Sequence, residues 1–137
     1  MNLSGWFQMS DQRTDISFAL LALRIVAGLA FMIHGWSKIR NPFEWMGPGT
    51  PAVFQLLAAI SEFGGGIAWI LGLLTPLASV GIGCTMAVAV ARHLFVKRDP
   101  FVGGYELAAV YLCVALLLLL GGPGRFSVDS FRTAIPR

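Results

Sequence analysis

The chain has 137 residues, 56% of them hydrophobic and only 12% charged, with a net charge of +3. Soluble domains devote about 25% of their residues to charge, so this composition, with a mean hydropathy of +0.73, excludes a chain able to cover itself with polar surface and points to a lipid bilayer as its solvent. Its basic residues lie scattered at segment ends with no run or stripe, which excludes a nucleic-acid-binding face and suits anionic headgroups instead.

Residues 1 to 15 carry Asp11 and Asp15 without a cluster of positive charge, so they do not read as a signal peptide. Four apolar segments follow, at about 17–38, 52–74, 76–95 and 104–121, each near the ~20 residues that cross hydrocarbon as a helix. The first, SFALLALRIVAGLAFMIHGWSK, places Arg24, Gly28, Phe31, Gly35 and Lys38 along one helical face. A loop over roughly 39–51 brings Phe43, Trp45 and Met46, with Pro42, Pro48 and Pro51, to a membrane interface. The second segment contains Glu62 and Gly64-Gly65-Gly66, and ends at Thr75-Pro76, where proline opens the third helix in its first turn. Gly121-Gly122-Pro123-Gly124 stops the fourth helix. The tail, 122–137, reads as an interfacial segment, with a short helix suggested by Phe126, Val128 and Phe131.

Short connections after the second and third segments make neighbouring helices antiparallel. The expected fold is therefore all-α: one domain over 1–137, an antiparallel four-transmembrane-helix bundle with both termini on one side. Arg13, Arg125, Arg132 and Arg137 on that side balance Lys38, Arg40, Lys97 and Arg98 on the other, so the positive-inside rule selects no orientation.

Charge inside a membrane helix costs about 2.5–3.5 kcal/mol per residue on insertion scales, so Arg24 and Glu62 should face the bundle. Two roles suit them. They form an ion pair that staples the first two helices, or Glu62 carries a proton or binds a polar ligand group, since a carboxyl held out of water is suited to proton exchange. A second group collects by depth at the end opposite the termini: His34 and Lys38, Arg92 and His93, Tyr105 and Glu106. With the loop aromatics above them, His34, Arg92, Tyr105 and Glu106 are expected to line one small-molecule cavity; interfacial anchoring is the plainer alternative. Glu106 and Cys113 share a helical face and would extend an inward polar seam. His34 and His93 offer two imidazoles for haem, a less favoured reading because lone membrane histidines more often pack or handle protons. No HExxH or paired ExxH spacing occurs, so no metal site is expected. Cys84 and Cys113 fall at mid-depth, as a thiol pair or simply as small apolar residues.

Arg24, His34-Gly35 and Lys38, then Glu62-Phe63-Gly64-Gly65, Gly103-Gly104-Tyr105-Glu106 and Gly122-Pro123-Gly124-Arg125-Phe126-Ser127-Val128-Asp129, resemble in order and spacing the DoxX family. The likeness runs from about 17 to 131. It implies a four-helix protein of a prokaryotic cell membrane, in a family that includes a subunit of an archaeal thiosulfate:quinone oxidoreductase and members that accompany thiol-oxidant defence enzymes. The chain lacks a CxxC, which argues against direct thiol–disulfide exchange.

Two functions compete. In the first, the chain is a small membrane subunit of a redox system that binds a quinone-like headgroup near His34, Glu62, Arg92, Tyr105 and Glu106. His34 or Glu106 bonds a quinone oxygen, Glu62 exchanges protons, Arg92 stabilises negative charge, and a partner subunit supplies electrons. In the second, it is a non-catalytic accessory subunit of a larger membrane complex. A small-molecule or proton carrier acting as a homo-oligomer is a third, lesser reading.

Overall fold

The computed structural model describes residues 9–47 and 49–133, with side chains from 14 to 131 within those limits. Pro48, the last four residues and the side chains of Arg13 and Arg132 lie outside the described residues. Five α-helices follow one another: α1 (Met9–Arg40), α2 (Ala52–Leu71), α3 (Thr75–Ala91), α4 (Glu106–Gly121) and the short α5 (Val128–Thr133). Between α3 and α4 the chain widens into a π-helical turn over Arg92–Lys97 and then kinks, with Val102 extended (ψ 124°) and Gly103 left-handed (φ 76°) just before α4. Four stretches are long and apolar enough to cross a membrane: Thr14–Arg40, Ala52–Leu71, Thr75–Lys97 and Phe101–Gly121. The architecture is the expected all-helical one, and a bilayer is its setting.

Bulky apolar side chains such as Val26, Ile33, Leu57, Leu77, Val88, Leu107 and Leu120 stand outward on the four spans. In water such a surface drives aggregation, whereas in lipid it meets hydrocarbon. The interior is small. Ala27 and Phe31 of α1, Trp69 of α2, Ile82 and Met86 of α3, and Ala115 and Leu118 of α4 form it. The Phe31 ring joins the layers, edge-on to Trp69 at 5.5 Å and 4.8 Å from Tyr111. The buried Trp69 indole N–H donates to Ser79 Oγ at 3.0 Å, so this large ring leaves no unmade bond.

Two glycines set the register of α1 against α2. A Cβ on Gly28 would stand 2.6 Å from the Gly66 carbonyl oxygen, and one on Gly66 2.7 Å from that of Gly28. Only backbone fits there, and close backbone approach is what holds membrane helices together when lipid removes the hydrophobic drive.

α2 stops three residues before the sequence suggests. Gly72 turns left-handed at φ 63°, and the N–H groups of Gly72 and Leu73 return to Trp69 and Ala68. Leu74 is also left-handed, at φ 49°, a conformation that costs a side-chain-bearing residue about 1–2 kcal/mol. Asp129 offsets it: the Leu74 and Thr75 N–H groups donate to its two carboxylate oxygens at 2.9 and 2.8 Å, while its own N–H donates to the Gly72 carbonyl at 2.9 Å. The tail is therefore the cap of α3 as well as a surface helix. Val128 and Phe131 of α5 face outward, as an interfacial segment requires.

Candidate functional site

Two polar centres lie inside the bundle, both on the strip of α1 that faces α2. The first is Arg24, 1% exposed. Its Nε donates to the Trp69 carbonyl at 2.8 Å and Nη2 to that of Ile70 at 3.1 Å. Its Nη1 reaches Pro123 at 2.6 Å and Phe126 at 2.9 Å. The acceptors at 69 and 70 are carbonyls of the last turn of α2, the negative end of its dipole, and that of Trp69 also accepts from the Gly72 N–H. Arg24 thus ties the ends of α2 and α4 to α1. The adjoining Arg125 N–H donates to Ser17 Oγ, and Phe126 stacks on Phe18 with centroids 4.6 Å apart. Gly-Pro-Gly-Arg-Phe-Ser forms the tight strap that supplies these carbonyls.

The second centre is Glu62, 2% exposed. Both of its oxygens lie 2.6 Å from the Lys38 ammonium, whose side chain is 23% exposed. Lys38 also sits 4.4 Å from the centroid of the Trp45 ring, so an indole face covers it. Gln55, buried in the first turn of α2, holds this cover. Its carbonyl accepts from the Trp45 indole, its side-chain oxygen from the Met46 N–H, and its amide donates to the Thr50 carbonyl. The first loop is thereby clasped over the ion pair at both of its ends.

The Arg24–Glu62 ion pair does not form. Both charges face the protein, but helix register separates them: Gly28 meets Gly66 and Gly35 meets Phe63, which brings Lys38 level with Glu62. Arg24 lies fourteen positions before Lys38, about 20 Å along the helix, beyond the reach of any side chain.

The four residues expected to line a cavity beneath the first loop differ in exposure. His34 is exposed on the outer face of α1, where its Nδ1–H donates to the Ala30 carbonyl at 2.7 Å. Arg92 is exposed in the π-helical turn. His93 turns to Asp99 at 2.7 Å, closing the α3–α4 connection rather than facing His34. Tyr105 and Glu106 are half-buried at the start of α4, with the Tyr105 ring edge-on to Phe101 at 5.3 Å. Helical periodicity does not carry from His93 to Tyr105, because a π-helical turn at Arg92–Lys97 and non-helical backbone at Val102 and Gly103 intervene. Cys84 and Cys113 are free and exposed, so Cys113 looks outward while Glu106, on the same helical face, is half-buried. A shallow apolar groove of about 330 Å³ lies between α2 and α3, lined by Ser61, Gly64, Ala68, Leu77 and Gly81 among others.

Lys38, Trp45 and Gln55 are the residues that sequence reasoning undervalued. The signal was present: a lone amide opens an apolar helix, and a lysine lies fourteen positions beyond Arg24 on the same buried strip.

Comparison with known proteins agrees with this architecture. The model of the DoxX family matches residues 19–98. The Bacillus subtilis (strain 168) protein named "Putative oxidoreductase CatD" is 29% identical over 116 residues, covering 81% of this chain and 84% of that protein. The inner membrane protein YqjF of Escherichia coli (strain K12) is 30% identical over 127 residues, covering 80% and 88%. An uncharacterized membrane protein of Mycobacterium tuberculosis is 30% identical over 129 residues, covering 81% and 79%. No solved structure gives a significant match.

Proposed function

The chain belongs to the DoxX family, and from that premise we propose that it is a non-catalytic membrane subunit of a redox assembly in the prokaryotic cell membrane. One observation carries this reading: the ionic groups buried in the bundle are satisfied within the chain, Arg24 by four carbonyls and Glu62 by Lys38, while His34 and Arg92 are exposed and Tyr105 and Glu106 only half-buried. A site that works on a quinone needs its donors to converge on one slot. The redox setting rests on the oxidoreductase named among the relatives, and no electron-carrying motif stands in the sequence. The chain's part is then to hold larger subunits in the bilayer.

Purification from native membranes in mild detergent tests this. Larger subunits are expected to co-elute, and the isolated chain should show no quinone reduction with a chemical donor. Quinone turnover by the isolated chain would overturn the proposal.

A second reading has one observation in its favour. Lys38, Glu62 and Trp45 place a donor, a proton-carrying group and a flat ring together beneath the first loop, the set a quinone headgroup requires. In that case the turnover just described should vanish in Glu62→Gln while His34→Ala retains it.

A further inference from the structure

A buried carboxylate and an aromatic face together make an ammonium site: the oxygens accept the N–H donors, and the ring quadrupole attracts the remaining charge. Glu62 and Trp45 meet in that way near the C-terminal end of α1, and the ammonium between them is the chain's own. Lys38 fills the seat with two N–H bonds to the carboxylate and its remaining side against the indole. Trp45 does not rest there by chance, since three hydrogen bonds through Gln55 fix the loop that carries it. One feature of the same helix end concerns the opposite charge. The Arg40 guanidinium is exposed, lies 5.7 Å from the Trp36 ring, and forms no ion pair among the described residues.

We propose that Glu62 and Trp45 form a seat for a primary ammonium, kept filled by Lys38, and that an aminoethyl phosphate headgroup exchanges with it. Charge balance selects this ligand. A simple amine that displaced Lys38 would leave the lysine without a counter-charge. A zwitterion brings the missing anion: its ammonium goes to Glu62, its phosphate goes to Lys38 and Arg40, and every charge stays paired. Lys38 stands in the last turn of α1 and is partly exposed, so its stem carries the displaced ammonium outward to the phosphate. A choline headgroup balances the charges equally but cannot replace the lysine's hydrogen bonds, because its methylated nitrogen has no N–H to offer the carboxylate. The shared chemistry belongs both to phosphatidylethanolamine in the bilayer and to soluble phosphoethanolamine.

The test uses the full chain in nanodiscs of phosphatidylethanolamine, phosphatidylcholine or phosphatidylglycerol, together with native mass spectrometry of lipid retained from equal mixtures. Wild type is expected to retain phosphatidylethanolamine over phosphatidylcholine by roughly tenfold or more, the ratio that one charged hydrogen bond implies. Glu62→Gln, of the same shape, should lose that preference while keeping its helical content. Arg40→Gln, exposed and harmless to the fold, should weaken retention by a few-fold. Lys38→Ala separates a ligand seat from a structural staple. With the tethered ammonium gone, its melting temperature should recover toward wild type in phosphatidylethanolamine discs and stay low in the other two. Recovery in detergent with millimolar phosphoethanolamine identifies the free headgroup as sufficient, and recovery in lipid alone identifies the lipid as the source. Equal retention of the two zwitterionic lipids overturns the proposal. So does a preference that survives in folded Glu62→Gln, or a Lys38→Ala protein equally unstable in all three lipids.

Discussion

Removing one member of the Lys38–Glu62 pair should cost much more than removing the other. The Glu62 carboxylate is 2% exposed, and the Lys38 ammonium is its hydrogen-bond partner among the described residues. Lys38→Leu therefore strands a buried charge, which costs about 3–5 kcal/mol. Glu62→Leu strands a cation instead, but a better placed one. The Lys38 side chain is 23% exposed, ends the last turn of a helix and lies against Trp45. Its stem swings toward the interface, and the ring keeps part of its attraction, so the loss falls to about 1–2 kcal/mol. The double Leu variant replaces the pair with apolar volume and should come within about 1 kcal/mol of wild type. Reversible unfolding by sodium dodecyl sulfate in mixed micelles, followed by circular dichroism, measures all four proteins. Equal losses in the two single variants would refute the reasoning, as would a double variant whose loss is the sum of theirs.

Arg24→Lys should cost about 3 kcal/mol or more in the same assay, because a single ammonium cannot reach four carbonyls on two separate segments; a loss below 1 kcal/mol would show that the fork is not needed. Asp129→Ala removes the acceptor for two N–H groups at the start of α3 and should cost about 1–2 kcal/mol, seen as faster amide exchange at Leu74 and Thr75. Gly66→Ala drives a Cβ to within 2.7 Å of backbone on α1 and should cost about 1–3 kcal/mol. Gly64→Ala, whose Cβ meets nothing closer than 3.9 Å, should be neutral or gain up to about 1 kcal/mol from helix propensity, a contrast that melting curves of the two variants check directly.

The spans were legible because hydrocarbon demands length and apolarity from every residue in it, and those are summed properties. The strip from Arg24 through Gly28, Phe31 and Gly35 to Lys38 was legible for a related reason: helical period alone fixes which residues share a face. Pairing between helices was not. Whether Glu62 meets Arg24 or Lys38 depends on axial offset, and that offset is set where Gly28 and Gly66 allow backbones to touch, a property of two segments rather than one. The polar cluster is a different case. Depth places His34, Arg92, Tyr105 and Glu106 at one end, but a π-helical turn over Arg92–Lys97 and the kink at Val102 and Gly103 break the 3.6-residue count just where it was needed to assign their faces. The end of α2 was missed by three residues because the tail that caps the next helix comes more than fifty positions later.

The strap beneath Arg24 also imposes an order of events on synthesis. Two of the four carbonyls that solvate this guanidinium lie 99 and 102 residues further along the chain. At a translation rate of about 5–20 residues per second, those acceptors emerge roughly 5–20 s after the arginine itself. During that interval the first span holds a cation with at least half of its final partners unmade, since the other two carbonyls also lie 45 and 46 residues downstream, a state tolerated beside the protein-lined walls of an insertion channel or at the headgroup layer and disfavoured in open lipid. A ribosome that stalls before residue 123 therefore leaves a bundle whose first helix carries an incompletely solvated charge.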